Sequence, residues 1–142
     1  MKDQNCAYCM REEKGELLDA FGIFICKLSV SSLILFKEQS HPGRCIVAYQ
    51  DHVSELVELS EEERNAFFAD VARAAKAIHG AFHPDKVNYG AYGDTGRHLH
   101  FHLVPKYRDG SEWGGVFQMD PKQEHLAPEE YEDMIRRIRE QL

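Results

Sequence analysis

Residues 96–105 read Gly-Arg-His-Leu-His-Phe-His-Leu-Val-Pro, so that three histidines alternate with large apolar side chains. Successive side chains of a β-strand point to opposite faces, and this period of two predicts a strand with one buried face. A helix would scatter the histidines around its axis, and Pro105 would end it early. We therefore expect His98, His100 and His102 to share one face of a strand. The expected core-facing residues are Leu99, Phe101 and Leu103.

Three imidazole rings on one strand face allow three interpretations. They can form a polar face open to water, although each ring then needs partners for two different nitrogens. They can form a three-histidine metal site, but residues four apart in a strand lie about 13 Å apart, whereas zinc needs every ligand nitrogen within about 2.1 Å. They can also act separately along a substrate, with the middle histidine as nucleophile and its neighbours holding and polarising the substrate. We prefer the third interpretation.

Length, charge and cysteine content exclude several classes of protein. The chain of 142 residues suits a single domain, residues 1–142. Its formal net charge of -7 argues against non-specific nucleic-acid binding, which needs cationic side chains to neutralise phosphates. No apolar run is long enough to span a bilayer, and no hydrophobic signal opens the chain. Four cysteines are too few for a secreted disulfide scaffold. We expect a cytoplasmic protein with neither nucleic acid nor a membrane as partner.

Local patterns predict two helices and further strands. Ser60 and Glu63 form a capping box before a helix that we expect to continue to about His79 and to end at Gly80. A second, amphipathic helix begins near Pro128. The other predicted strands are Phe21–Lys27, Ser32–Phe36, Cys45–Tyr49 and Lys86–Ala91.

A Cys-x-x-Cys pair, Cys6 and Cys9, lies near the start of the chain. Such a pair is half of a zinc site, a redox pair or two incidental thiols. Redox chemistry of the thioredoxin kind would place it between a strand and a helix, and residues 11–15 show no helix-opening apolar pattern. A zinc site would need two more ligands from elsewhere in the chain.

Three loops carry residues of interest. The glycine-rich approach to the histidines, residues 89–96 with Gly93, can bring backbone N–H groups close to a phosphate, although a plain hairpin connection would need the same glycines. His41 lies in a polar loop and is expected to be solvated. Trp113 precedes two glycines, which suits either a mobile flap over a site or a packing anchor.

Residues 98–104 resemble the motif of the histidine-triad (HIT) family, in which histidines alternate with hydrophobic residues. The resemblance extends to residues 43–53, which look like the family strand that delivers a histidine just past its end. It points to the zinc-bearing bacterial-type branch, similar to dinucleoside polyphosphate hydrolases. The implied fold class is α+β, an antiparallel sheet of about five strands with one long helix and a C-terminal helix. The implied assembly is a homodimer.

The same resemblance implies a nucleotide substrate and a role for each site residue. His100 attacks the α-phosphorus, and water then hydrolyses the nucleotidyl-imidazole. His102 donates to a non-bridging phosphoryl oxygen. Asn88 holds a phosphate or leaving-group oxygen, and Thr95 assists the leaving group. Arg44, where many relatives have histidine, is expected to bind substrate together with Gly93, Asn88 and His102.

The resemblance also implies a structural zinc ion held by Cys6, Cys9, His52 and His98. An acidic residue that binds ribose is harder to place, and Glu38 is only one option.

The leading functional hypothesis is a hydrolase of nucleoside phosphoanhydrides or phosphoramidates. The alternatives are a nucleotidyltransferase or phosphorylase, and a nucleotide-binding regulatory module with little turnover. The transferase branch has glutamine at the third triad position, so His102 favours hydrolysis.

Overall fold

The computed structural model describes residues 2–119 and 123–142. Within this part, the chain forms three α-helices, five β-strands and one 3₁₀ turn at Leu56–Glu58. In chain order the helices and strands are α1 (Gly15–Asp19), β1 (Gly22–Lys27), β2 (Ser31–Phe36), β3 (Cys45–Tyr49), α2 (Glu61–Phe82), β4 (Lys86–Gly90), β5 (His100–Lys106) and α3 (Pro128–Glu140).

The strands build one antiparallel sheet in the order β1-β2-β3-β5-β4. The predicted α+β class, with about five antiparallel strands, a long helix and a C-terminal helix, is confirmed. Strand β5 lies between β3 and β4, with His100 opposite Ala48 and His102 opposite both Ile46 and Gly90. The histidine strand is therefore held by backbone hydrogen bonds on both sides, which gives its side chains a rigid mount.

The two faces of the sheet are covered differently. Helices α2 and α3 pack on one face, where Leu99 and Leu103 join the main core and Phe101 packs against it, as the alternation predicts. The opposite face carries a smaller apolar cluster built around Ile34 and Ile46 from the sheet and Leu18 from α1. The histidines lie on this second face, which α1 and the N-terminal segment cover only in part.

Helix α2 begins as predicted, with Ser60 and Glu63 in a reciprocal capping box. Its predicted end was wrong, because the helix continues through Gly80 to Phe82, and His83 then adopts a left-handed conformation with φ of 52°. The glycine serves packing instead, since a Cβ at residue 80 would collide with the side chain of Gln141. No helix within the described part of the chain has the length and apolar character needed to cross a membrane.

The predicted strand at 98–104 begins two residues later than expected. His98 and Leu99 precede β5, and Leu99 is instead bonded to the segment that follows β3, with its N–H on the Val53 carbonyl at 2.7 Å. The Leu99 carbonyl accepts from the Tyr49 N–H at 3.0 Å. These two bonds bring the residues after β3 close to His98. The short helix α1 was not predicted, since its five residues carry only one buried side chain, Leu18.

Candidate active site and metal centre

Four potential metal ligands from three separate parts of the chain meet at one end of β5. Cys6 and Cys9 come from the N-terminal turn, His52 follows β3, and His98 precedes β5. One ligand atom from each residue lies within 4.8 Å of the other three. The structure therefore brings together the four residues that the family resemblance assigns to zinc.

The distances within this cluster fit a tetrahedral zinc ion. Nδ1 of His52 lies 3.3 Å from Nδ1 of His98, and Sγ of Cys9 lies 3.2 Å from the former and 3.5 Å from the latter. Sγ of Cys6 lies 3.5 Å from Nδ1 of His98. Tetrahedral bonds of about 2.1 Å place two ligand nitrogens about 3.4 Å apart. Two cysteines and two histidines form a closed set typical of structural zinc, and the predicted structural zinc is confirmed.

The ring of His98 is oriented for metal binding by its second nitrogen. Its Nε2–H donates to the Tyr49 carbonyl at 2.6 Å, which leaves the lone pair of Nδ1 for the metal. Burial lowers the pKa of His98, so the ring is neutral near pH 7. The Asp3 carboxylate lies 3.8 Å from Nε2 of His52 on the exposed side of the cluster.

A cavity of about 570 Å³ lies beside the metal centre and contains the histidine face. Its volume is in the range of small-molecule sites. All three triad histidines line it, together with residues of the N-terminal turn and of the loop before β5. The lining side chains to which the sequence reasoning assigned no role are Asp3, Asn5, Ala7, Tyr8, Phe21, Tyr92, Asp94, Arg97 and Met119.

His100 is held in one tautomer by the backbone of His98. A carbonyl oxygen only accepts, so the 2.6 Å contact between Nδ1 of His100 and the His98 carbonyl fixes the proton on Nδ1. The remaining nitrogen, Nε2, keeps its lone pair. Burial lowers the pKa of His100, which keeps the ring neutral near pH 7. A neutral imidazole with one free lone pair beside a cavity is the form that nucleophilic attack requires.

Arg44 lies behind His102 and does not line the cavity, which differs from the expected contact with substrate. Its side chain is fully buried, and Nη2 lies 3.1 Å from Nδ1 of His102 and 3.0 Å from the Met119 carbonyl. The guanidinium also covers the ring of Phe36, with Cζ 4.2 Å from its centroid. The charge therefore acts on the histidine and not directly on a ligand in the cavity.

The loop before β5 contributes Gly93 and Thr95 to the cavity lining. Gly93 has φ of 106°, and a Cβ there would lie 3.1 Å from the Gly96 carbonyl oxygen, so the tight turn requires glycine. The same loop brings Asp94 and Arg97 to the cavity rim. Arg97 is the one cationic side chain in the lining formed by the described residues.

Two other residues singled out from the sequence lie outside the cavity lining. Asn88 is on β4 opposite Val104 and lines a separate depression that also contains Trp113. Glu38, the option for binding ribose, is 3% exposed and accepts hydrogen bonds from the backbone N–H groups of Ser40 and Glu124. Glu38 therefore stabilises the two loop segments that contain Ser40 and Glu124.

His41 is buried, so the expectation that it is solvated was wrong. It is 3% exposed, and its Nε2 lies 2.7 Å from Oε1 of Glu112. The buried Lys106 donates to the carbonyl of Gly115 at 2.9 Å in the same loop. These contacts hold the loop that carries Trp113, a residue that is 43% exposed and does not line the triad cavity. The sequence around His41 does not indicate that the distant loop containing Glu112 folds over it.

Tyr8 lies close to both the metal-ligand histidine His98 and the cavity histidine His100. It lies between Cys6 and Cys9 in the chain, and its ring centroid is 5.2 Å from those of both His98 and His100. Burial raises the pKa of its phenol, so the hydroxyl stays protonated. The position inside the Cys-x-x-Cys turn is the sequence signal that could have identified it.

Comparisons with known proteins agree with this geometry. A family model described as the HIT domain matches residues 23–109. An AP-4-A phosphorylase of Mycobacterium tuberculosis is 28% identical over 109 residues, which cover 72% of this chain and 53% of the relative. The chain therefore spans about half the length of the curated relatives that it matches.

Two solved structures extend the comparison. A histidine triad protein of Sinorhizobium meliloti has a TM-score of 0.82 and 26% identity, covering 89% of this chain and 94% of its own. A zinc-bound histidine triad family protein of Mycobacterium smegmatis has a TM-score of 0.62 and 25% identity, covering 87% of this chain and 85% of its own. Since the family model includes the triad and all five strands apart from the first residue of β1, the chain belongs to the histidine-triad (HIT) family.

Proposed function

We propose that this chain is a nucleotidyl hydrolase that cleaves a nucleoside phosphoanhydride or phosphoramidate through a covalent intermediate on His100. The observation that carries the proposal is the hydrogen bond of 2.6 Å from Nδ1–H of His100 to the His98 carbonyl. That bond aims the other ring nitrogen, as a neutral nucleophile, at a cavity large enough for a nucleotide.

The reaction proceeds in two displacements. In the first, the lone pair of Nε2 of His100 forms a bond to the α-phosphorus, and the bond to the leaving group breaks with its electron pair going to the departing atom. The positive charge left on the imidazole ring is stabilised by the Nδ1–H bond to the His98 carbonyl. In the second, water forms a bond to the same phosphorus and releases a proton to solvent. The phosphorus–nitrogen bond breaks with its electron pair returning to Nε2, which restores neutral His100.

The groups around His100 hold the phosphoryl oxygens and the leaving group. His102, whose ring centroid is 5.2 Å from that of His100, donates to a non-bridging oxygen. The backbone near Gly93 supplies N–H donors, and the Thr95 hydroxyl assists at the leaving group. Arg97 supplies positive charge at the rim of an otherwise acidic protein. Asn88 is assigned no contact with the reacting phosphorus, because it lies outside the cavity lining.

The experiment that tests this function is an assay of purified protein with a panel of adenosine and guanosine phosphoanhydrides and phosphoramidates. We expect a nucleoside monophosphate product that carries one oxygen from solvent water. We also expect mass spectrometry to detect a nucleotidyl adduct after quenching above acidic pH. Binding of mononucleotides without turnover of any compound in the panel would instead identify a regulatory module.

A phosphorylase is the second function that a specific observation favours. The mycobacterial relative carries that name, and inorganic phosphate could replace water in the second displacement. Adding phosphate to the assay separates the two functions. A hydrolase continues to release the monophosphate, whereas a phosphorylase consumes substrate faster and releases a nucleoside diphosphate.

Replacing His102 with alanine is expected to slow turnover by about 10²-fold, since it removes one donor to the phosphoryl oxygens. The nucleotidyl adduct should still form, because His100 keeps its own hydrogen bond to the backbone. His102→Gln restores an N–H donor and should lose less activity. Single-turnover kinetics measure both variants, and an unchanged rate in His102→Ala would remove His102 from the mechanism.

We expect a homodimer in which a second copy binds at an edge of the sheet. Strand β4, whose Tyr89 is 51% exposed, ends the sheet on one side. The other edge strand, β1, is contacted by α3 through the 2.7 Å bond from Arg139 to the Ile25 carbonyl. Sedimentation velocity should show a dimer at micromolar concentration. Monomer alone at that concentration would contradict the expectation.

We propose that the protein is cytoplasmic. Its zinc ligands include Cys6 and Cys9, which must stay reduced to bind metal, and a reducing compartment maintains such thiols.

A further inference from the structure

The contact between Arg44 and His102 determines which nitrogen of His102 carries a proton. Nη2 of Arg44 lies 3.1 Å from Nδ1 of His102. A guanidinium group has donors only and stays charged in proteins, so Nδ1 of His102 must be the acceptor. The single proton of the neutral ring is therefore on Nε2.

The same contact prevents His102 from taking up a second proton. Protonation of Nδ1 would bring an N–H against the guanidinium and place two positive charges together in a buried site. Burial and the Arg44 charge lower the pKa of His102 to about 3. Arg44 is held in place by Nη2 donating to the Met119 carbonyl at 3.0 Å and by its cation–π contact with Phe36.

Within residues 2–119 and 123–142, the other charged and titratable groups near His102 do not offset this effect. On its own strand, His102 faces His100. His100 is neutral, and its protonation would lower the pKa of His102 further. From β2, His102 meets the apolar ring of Phe36, with centroids 5.5 Å apart. From the loop before β5, Asp94 and Arg97 line the same cavity with opposite charges.

Resting on the proposed function, we infer that Arg44 is a positioning residue, which makes His102 a fixed Nε2–H donor and not a general acid. The site therefore selects phosphoanhydrides over phosphoramidates. When a phosphoanhydride is attacked, the bridging oxygen leaves with its electron pair as part of a stable phosphate anion and needs no proton. When an alkyl phosphoramidate is attacked, the nitrogen must be protonated to leave as an amine. His102 could supply that proton only by becoming an imidazolate.

The test compares two probes with the same nucleoside, diadenosine tetraphosphate and the phosphoramidate of adenosine monophosphate with an aliphatic amine. For the wild type we expect kcat/KM for the anhydride to exceed that for the phosphoramidate by at least about 10²-fold. In Arg44→Gln, and in Arg44→His, the ratio of the anhydride kcat/KM to the phosphoramidate kcat/KM should decrease by about tenfold or more. The phosphoramidate rate of both variants should rise as the pH falls from about 8 to 5.5, because His102 can then take up a proton.

Arg97→Gln is the matched control. It removes a cation from the cavity rim without touching His102, so it should raise KM for both probes and leave their ratio unchanged. A purely structural role of Arg44 would lower both rates together and leave the ratio and the pH profile unchanged, which would overturn the inference.

Nitrogen-15 NMR of the wild type tests the tautomer without any variant, so poor folding of the Arg44 variants does not remove the test. We expect Nε2 of His102 to be protonated and Nδ1 unprotonated between about pH 5 and 8. A proton on Nδ1 would overturn the inference. Equal cleavage of both probes would overturn the selectivity and leave the proposed function standing. Cleavage of no nucleotide in the wider panel would overturn the proposed function and, with it, the selectivity.

Discussion

Replacing His100 with alanine is expected to lower kcat by at least about 10³-fold, the scale seen when a covalent nucleophile is lost. Nucleotide affinity should stay nearly unchanged, because Tyr8, His102 and the Gly93 loop still form the cavity. His100→Asn should behave similarly, since an amide is not a nucleophile toward phosphorus. Steady-state kinetics and nucleotide titration by calorimetry measure the two effects separately.

His79→Ala provides the control for this variant. His79 is an exposed histidine on α2 and does not line the cavity, so its replacement should leave kcat within about twofold of the wild type. Near-native activity of His100→Ala on the substrate that the wild type cleaves would exclude a covalent mechanism on this residue.

Loss of zinc is the second large effect. Purified without chelators, the protein should contain one zinc ion per chain, and Cys9→Ala should lose it. We expect this variant to lose about 3–5 kcal/mol of unfolding free energy, and hence roughly 10 °C or more in Tm, because the metal ties the N-terminal turn to the segments holding His52 and His98. Elemental analysis and thermal unfolding measure the two losses.

Cys26→Ala is the matched control for the zinc prediction. Cys26 is on β1, lies apart from the metal cluster and packs against the main core, so this variant should keep its zinc. Far less than one zinc ion per chain in the wild type, or an unchanged Tm in Cys9→Ala, would contradict the structural role.

His98 belongs to the metal centre and also holds His100, the proposed nucleophile. The side chain of His98 belongs to the metal cluster, and its backbone carbonyl accepts the 2.6 Å hydrogen bond that fixes the tautomer of His100. Loss of zinc should therefore lower kcat as well, through movement of His98, while leaving the chemistry of the displacement unchanged.

The parts of the fold that local patterns determine could be predicted from the sequence. The alternation over 98–104 correctly predicted that Leu99 and Leu103 lie in the core, because alternate side chains of an extended segment point to the same face. The capping box at Ser60 identified the start of α2, because its hydrogen bonds join residues three apart. The four zinc ligands came from the family resemblance, and distances between the described residues agree with it.

The parts that depend on distant contacts could not be predicted. Gly80 suggests a helix end, but its neighbour in space is Gln141, more than sixty residues away in the chain. His41 is in a polar segment, yet Glu112 and its loop bury it. Arg44 was expected to bind substrate, but its Nη2 contacts His102 and the Met119 carbonyl.

The central claim is that the nucleotidyl group passes through His100, and the stereochemical course at the α-phosphorus tests it most directly. A substrate whose α-phosphorus is made chiral by isotopic or sulfur substitution is cleaved in labelled water, and the configuration of the monophosphate product is determined. Two in-line displacements, one by His100 and one by water, predict net retention of configuration. Net inversion would show that water attacks the substrate directly and would contradict the covalent mechanism.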